Sequence, residues 1–250
     1  MDNAIEDARQ LLDLLKKANR TVVLTGAGVS TASGIPDFRG PSGLYATVSQ
    51  RVFEVDFLLS SPEEYYKIAY EYIHPLVDKE PNIAHRALAE LEKAGLISAI
   101  ITQNIDGLHQ KAGSQDVIEF HGNVTTFRCV DCSRAFNRTR VDEMIVTDGV
   151  PMCQCGGLIR PDLVFFGDLI PEDAISRSQE LATTCDVLLI MGTSLAVYPA
   201  ASIPVLADQS GAKIVIVNKG PTELDHIADY RYEVGLEAFS QALMELIQPK

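Results

Sequence analysis

No run of apolar residues in this 250-residue chain approaches the roughly 18 needed to span a bilayer, so no membrane helix is expected. The first residues, Met1-Asp2-Asn3-Ala4-Ile5-Glu6, lack the basic start and apolar core of a signal peptide, so a cytoplasmic location is expected. Positive charge is scarce. With 21 Lys and Arg against 34 Asp and Glu, the formal net charge is −13. That balance argues against direct nucleic-acid binding, because duplex affinity draws on counterion release by clustered cations. Basic tails of substrate proteins are the more natural partners. The five cysteines of a cytoplasmic chain point to a metal site, with one thiol left over, before they point to disulfides. Neither an internal repeat nor a low-complexity linker interrupts the chain. A hydrophobic content of 46% suffices to bury a sizeable core, as one large domain or as a large and a small one.

What is present is organised around residues 21–40, TVVLTGAGVSTASGIPDFRG. The apolar run Val22-Val23-Leu24 stops at Gly26-Ala27-Gly28, which reads as a buried strand entering a glycine turn whose backbone N–H groups can meet a pyrophosphate. An ordinary strand-to-helix turn fits the same residues. Ser30, Thr31 and Ser33 can cap a helix or hydrogen-bond phosphate, and Pro36 breaks the segment. A dehydrogenase-type dinucleotide site would need a third glycine, where Thr31 stands, and an acidic strand end roughly 20 residues on. Residues 35–43 are a loop instead. Asp37 and Arg39 around Phe38 read either as a surface turn with one anchoring ring or as a mobile lid over the reactive end of a cofactor.

Ile5, Ala8, Leu11, Leu12 and Leu15 recur at helical spacing and predict a scaffold helix over about 4–18. Ser61-Pro62-Glu63-Glu64 opens a helix through about Val77, and a second runs from Asn82 to Gly95. Residues 41–90 thus read as a helical insertion whose aromatics form a small core, with His74 and His85 as structural residues. Strand 97–101 leads into Thr102-Gln103-Asn104-Ile105-Asp106. That polar cluster is either a ligand site at the carboxyl end of a strand or a helix cap. His109, on the following helix, reads as structural. Strand 117–120 delivers His121-Gly122-Asn123, and a histidine there is a candidate general base, because its unperturbed pKa lies near neutrality.

Cys129-Val130-Asp131-Cys132 and Cys153-Gln154-Cys155 are two close thiol pairs that fit tetrahedral zinc; with four cysteine ligands no position is left for water, so the metal is structural. Cys185 is a small buried hydrophobe. Apolar strand character returns over 158–166 and ends in Phe165-Phe166-Gly167-Asp168; a helix follows over about 172–183. The buried strand ending at Met191 runs into a second small-residue turn, Gly192-Thr193-Ser194. Val197-Tyr198-Pro199 opens a helix to about Ala207, and strand 213–217 ends in Asn218-Lys219-Gly220, where a polar residue can reach a ribose or base. A strand over 230–234 and a helix over 236–247 close the chain.

This set resembles the sirtuins, the NAD-dependent protein-lysine deacylases, in their bacterial or archaeal form. The matching segments are Gly26-Ala27-Gly28-Val29-Ser30, Gly34-Ile35-Pro36-Asp37-Phe38-Arg39, residues 102–109, His121-Gly122-Asn123, the four cysteines, Phe165-Phe166-Gly167, Gly192-Thr193-Ser194 and Val217-Asn218, in the family's order across almost the whole chain. The resemblance implies an α/β protein with a Rossmann-like parallel sheet domain (1–40, 91–127 and 158–250) and a small domain made of a helical insertion (41–90) and a zinc ribbon (128–157), with both substrates in the cleft between them. It implies that His121 is the general base toward a hydroxyl of the nicotinamide ribose. Asn104 and Asp106 would hold the nicotinamide and its ribose, with Ile105 beside the carboxamide. Ala27, Asp37, Phe38 and Arg39 would form the cofactor loop, and Gly26, Gly28, Gln103, Gly192, Thr193, Ser194 and Asn218 would contact the rest of NAD. Val164, Phe165, Phe166, Gly167 and Val197 would line the groove for an acyl-lysine peptide, which can add as a strand. The implied products are free lysine, nicotinamide and O-acyl-ADP-ribose. Residues 43–48 lack the Tyr-x-x-Arg pair of relatives that prefer acidic acyl groups, which favours an uncharged acyl such as acetyl; the aromatic insertion leaves longer chains open. Asp168 replaces the glutamate of many relatives, a change expected to be minor. A monomer is favoured. Mono-ADP-ribosyl transfer and a non-enzymatic NAD or ADP-ribose reader are the alternatives on the same fold.

Overall fold

The structure, a computed structural model, describes residues 2–38, 40 and 43–247. In chain order it forms α1 (Asp2–Leu15), β1 (Thr21–Thr25), a 3-10 turn (Ala27–Ser33), α2 (Val55–Ser60), α3 (Pro62–Ile68), α4 (Ile83–Lys93), β2 (Ala99–Thr102) and α5 (Leu108–Ala112). There follow β3 (Val117–Glu119), β4 (Gly122–Cys129), β5 (Ala135–Asn137), α6 (Arg138–Asp148), β6 (Ile159–Leu163), α7 (Glu172–Thr184), β7 (Val187–Met191), α8 (Ser202–Gln209), β8 (Lys213–Val217), β9 (Tyr230–Tyr232) and α9 (Leu236–Ile247).

Among the described residues, six strands form a parallel sheet in the order β3-β2-β1-β7-β8-β9. The chain runs outward from β1 to β3, then returns to the other side of β1 to lay down β7, β8 and β9. The order therefore reverses between β1 and β7, and the crevice beyond the carboxyl ends of strands at such a reversal is where open parallel sheets bind ligands. Every residue of β1 and β7 is buried, as befits strands covered by helices on both faces. Val23, Ile100, Leu189 and Val215 pack with Leu11, Leu15, Leu88 and Phe239 of α1, α4 and α9. On the other face, Val22, Ile101, Leu188 and Ile216 pack with Leu181 and Ile203 of α7 and α8. That alternation is the two-residue period of a strand.

A second, smaller unit is built on the antiparallel sheet β5-β4-β6. Phe53, Phe57, Tyr65 and Tyr66 from the helical insertion share one core with Phe127, Val141 and Ile159 from the cysteine-bearing part. The Tyr66 hydroxyl also donates to the carbonyl of Ile159. Each fully buried aromatic of this size contributes about 1.5–3 kcal/mol of transfer free energy, so the insertion and the ribbon hold each other in place. Strands β4 and β6 reach, on both sides, beyond the 128–157 range expected for the ribbon.

Several boundaries differ from the sequence expectations. α1 spans Asp2–Leu15, with a closing turn in which Ala18 N–H reaches Leu14 O, in place of a helix to 18. The helix expected from 62 to 77 is α-helical only to Ile68; a wider turn (Ala69–Ile73) and a 3-10 turn (His74–Asp78) follow, because Pro75 has no N–H and its ring crowds the preceding turn. Val197-Tyr198-Pro199 does not open α8, which begins at Ser202; the Pro199 carbonyl instead accepts the Ser202 N–H. The helix expected from Asn82 does start there, with Asn82 and His85 forming a capping box.

Candidate active site

The turns that end β1 and β7 stand back to back. Gly26 N–H donates to Met191 O at 3.1 Å, and Gly28 N–H to Gly192 O at 2.9 Å. A Cβ on Gly28 would lie 2.8 Å from Gly192 Cα, and one on Gly192, whose φ is +65°, would lie 2.6 Å from Val29 N. Only glycine permits this approach. Gln103, just past β2, donates its N–H to Thr25 O at 3.0 Å and its side-chain amide to Thr193 Oγ1 at 3.1 Å, tying a third strand end to the pair. Asn218 follows β8; its carbonyl and that of Gly220 accept from the guanidinium of Arg231 at 2.8 and 2.6 Å, which fastens a fourth strand-end loop.

These loops floor a cleft of about 1320 Å³ that also reaches the smaller unit. Its lining includes Gly26, Ala27, Gly28, Asp37, Phe38, Gln103, Asn104, Ile105, His121, Val164, Phe165, Phe166, Gly167, Gly192, Thr193, Ser194, Val197 and Asn218. Nearly the whole residue set expected from the sequence thus meets in one place. Asp106 lies just behind it, in a small recess lined by Ala27, Ile35 and Ile105. Arg39 lies outside the described residues.

Behind the cleft runs a buried polar network that the sequence reading missed. The Ser30 hydroxyl donates to Asp106 Oδ2 at 2.7 Å and accepts from Asn104 Nδ2 at 3.1 Å. It cannot serve a phosphate as well, which corrects the expectation for that residue; the Thr31 hydroxyl likewise donates to Gly28 O, and Ser33 accepts from Asn82 Nδ2. Asp106 Oδ1 accepts the Leu108 N–H at 2.9 Å, a local turn bond beside the start of α5, whose N-cap position is Gly107. His85 Nδ1 accepts the Asn82 N–H, which leaves Nε2 as the donor facing Ser30 Oγ at 3.3 Å. His109 Nε2 lies 2.9 Å from Thr25 Oγ1, which donates to Thr102 Oγ1, and Thr102 Oγ1 in turn accepts the Asn104 N–H. The two imidazoles pack edge to face at 5.0 Å. Burial pushes His85 down to about 4 and His109 to about 3, so both are neutral near pH 7. Burial also raises the Asp106 carboxyl, and the bonds from Ser30 and Leu108 hold that rise in check.

His121 is differently placed. Its Nδ1 lies 3.2 Å from the carbonyl of Gln103, and a carbonyl only accepts; the proton therefore sits on Nδ1 and Nε2 keeps its lone pair. Burial lowers its pKa, partly offset by that backbone contact, so the imidazole is neutral and basic at physiological pH. The Asp37–Phe38 loop is anchored by one ring, as one sequence reading had it, and also lines the cleft. Phe38 packs against Tyr45 at 5.5 Å and Phe53 at 5.6 Å, and Asp37 Oδ1 accepts the Gly40 N–H at 2.8 Å.

The metal-type site is separate. The sulfurs of Cys129, Cys132, Cys153 and Cys155 all lie within 4.8 Å of one another, with Cys129 to Cys155 at 3.4 Å and Cys132 to Cys153 at 3.7 Å. Four thiolates around zinc at about 2.3 Å each stand roughly 3.8 Å apart, so the arrangement fits the ion. The Cys132 N–H aimed at Cys129 Sγ lowers that thiol, whereas at Cys155 the Gly157 N–H is outweighed by the three neighbouring sulfurs, which raise it. Cys185 is buried elsewhere, against Leu181 and Ala182, as a small hydrophobe.

Residues 26–199 match the model of the Sir2 family. The NAD-dependent protein deacetylase of Thermotoga maritima is 48% identical over 95% of this chain and 97% of its own length. A solved complex of Sir2 with a p53 peptide and NAD+ superposes with a TM-score of 0.91 at 47% identity, covering 95% of this chain and 97% of that one. Sir2 bound to an acetylated peptide superposes at 0.89 with 46% identity over 95% and 97%.

Two outcomes are expected. Chelation of zinc, or Cys153→Ser, lowers the melting temperature and empties the site in metal analysis; an unchanged melting temperature in a zinc-free protein would contradict a structural metal. As pH falls from 6.5 toward about 4, the unfolded chain protonates His85 and His109 while the folded chain does not. Stability is therefore lost in that window, by an amount on the order of a few kcal/mol, with raised Asp106 working in the opposite direction. Urea unfolding against pH measures the slope, and His109→Gln flattens it.

Proposed function

The chain belongs to the Sir2 family and is an NAD-dependent protein deacetylase, and we propose the following division of labour among its residues. NAD, when bound, supplies a nicotinamide leaving group and an ADP-ribose acceptor for the acyl group. Gly26, Gly28 and Gly192 spend their own N–H groups on the carbonyls of Met191, Gly192 and Val217, which leaves the neighbouring turn residues Ala27, Thr193 and Ser194, also lining the cleft, to face the NAD phosphates at the strand-order reversal, where such ligands sit. Asn218, held by Arg231, meets the adenosine end. Asn104 and Ile105 meet the nicotinamide end; Asp106 positions Asn104 through the shared Ser30 hydroxyl.

His121 accepts a proton at Nε2 from a ribose hydroxyl, while Gln103 O keeps the ring oriented and its tautomer fixed. This neutral, partly desolvated imidazole in the same cleft as the glycine turns is the observation that carries the assignment. The wall from Val164 to Gly167 takes the acyl-lysine peptide as an added strand. Phe38, Tyr45 and Phe53 make the adjoining cleft apolar, which supports an uncharged acyl group, with acetyl the expected substrate. Among the described residues no helix is long and apolar enough to cross a membrane. A cytoplasmic monomer acting on acyl-lysine proteins, with residues 41–90 and 128–157 as the smaller domain, completes the reading.

An acetyl-lysine peptide followed by mass spectrometry with and without NAD tests it. NAD-dependent loss of acetyl with matching nicotinamide release is expected from the wild type. His121→Ala should lower turnover by at least about 10²-fold. Because burial lowers the His121 pKa, the acidic limb of kcat/KM should fall below pH 6.5, activity being lost as pH drops through it. ADP-ribose transfer to protein without deacetylation would overturn the assignment.

A further inference from the structure

We propose that Arg160 and Asp168 act as a clamp that sets affinity for the acyl-lysine peptide, as positioning residues for the wall it binds. This rests on the reading that Val164–Gly167 is the peptide's docking strand. The clamp closes residues 160–168 on themselves. Arg160, on β6, pairs with Asp168 through both guanidinium nitrogens; the Nη1 to Oδ1 contact is 3.2 Å. The same groups also hold backbone. Arg160 Nη2 donates to Leu163 O at 3.1 Å, and Asp168 Oδ2 accepts the Phe165 N–H at 3.0 Å. Those two backbone groups flank Val164, whose own N–H donates to the carbonyl of His121 at 2.9 Å. One ion pair thus fixes the peptide planes on either side of the residue that links the wall to the general base.

Side-chain packing adds to the hold. The Arg160 guanidinium lies over the Phe165 ring at 4.8 Å, and Tyr65 supports that ring from beneath at 5.6 Å. Phe166 is held by Phe53 O and Val55 N–H, at 2.7 and 3.0 Å. The exposed Phe166 side chain and the adjacent cleft surface are therefore displayed by a backbone pinned at successive residues. Both members of the pair are only about one-fifth exposed, 21% and 20%, and their bonds to main-chain groups are charge-assisted, so the pair is not a screened surface contact. A peptide that adds as a strand gains its affinity from main-chain hydrogen bonds, which depend on the receiving backbone being in register before it arrives. The NAD-facing turns at Gly26, Gly192 and Asn218 lie on the sheet side and make none of these contacts. The effect should therefore fall on the peptide and spare NAD.

The experiment is steady-state kinetics with each substrate varied in turn, together with calorimetric titration of the acetyl-lysine peptide into NAD-free protein. Asp168→Asn keeps the size and removes the charge. It should raise the peptide KM and Kd about tenfold, the loss expected for one charge-assisted contact, while the NAD KM stays within about twofold. Asp168→Glu should restore wild-type values within about twofold, because the longer carboxylate still reaches the guanidinium. Arg160→Lys, which keeps charge but loses the fork that reaches Leu163 O, should repeat the selective rise, so misfolding of one variant leaves the other to decide. An unchanged peptide KM, an equal rise in both KM values, or a glutamate variant as impaired as the asparagine would overturn the clamp. A wild type that neither binds the peptide nor deacetylates it would overturn the underlying functional reading as well, and is distinct from an active wild type with indifferent variants.

Discussion

The contact between the backbone of Gly28 and that of Gly192 constrains everything around it. Two buried parallel strands, β1 and β7, end side by side where the strand order reverses, and their turns touch through a 2.9 Å N–H to carbonyl bond with no side chain between. That approach brings both turns to one crevice. The loops after β2, β3 and β8 deliver Gln103, His121 and Asn218 to the same edge, because parallel strands all point their carboxyl ends the same way. The cleft is thus a consequence of topology and of two glycine turns, with the smaller unit closing its other side.

A rigid backing turns this crevice into a site. Ser30, Asn82, His85, Thr25 and Thr102 are buried polar residues that satisfy one another, each bond removing a desolvation cost of about 1–3 kcal/mol that an unpaired group would carry; His109 joins them through Nε2, while its buried Nδ1 has no partner. Asn104 and Asp106 inherit their orientation from that network. The His121 ring stands apart from it, bonded through Nδ1 to the Gln103 carbonyl, and so retains a basic Nε2 for proton transfer.

Much of the architecture was legible in the chain because it is written in local pattern. All-apolar strand runs, the glycine turns at 26–28 and 192–194, the paired cysteines and the capping Asn82 each depend on neighbours within a few residues. What escaped is long-range. Ser30 looks like a phosphate ligand until Asp106 and Asn104, far along the chain, claim its hydroxyl. His85 and His109 read as scaffold, which they are, but nothing in their sequence context reveals that they face one another behind the site. The extent of β4 and β6 depends on pairing across the intervening ribbon, and Pro75 ended a helix that periodicity alone would have carried on. The partner of Asp168 was not legible either, because only the folded chain curls residue 168 back onto Arg160 of β6.

The close approach of the two turns is tested most directly by calorimetric titration of NAD into Gly192→Ala beside Gly211→Ala. Both glycines have positive φ, +65° and +90°, but a Cβ at 192 would meet Val29 N at 2.6 Å whereas one at 211 meets nothing within 4 Å. The account predicts that Gly192→Ala binds NAD at least about tenfold more weakly while Gly211→Ala binds as the wild type does. Wild-type NAD affinity in a folded Gly192→Ala protein would contradict it.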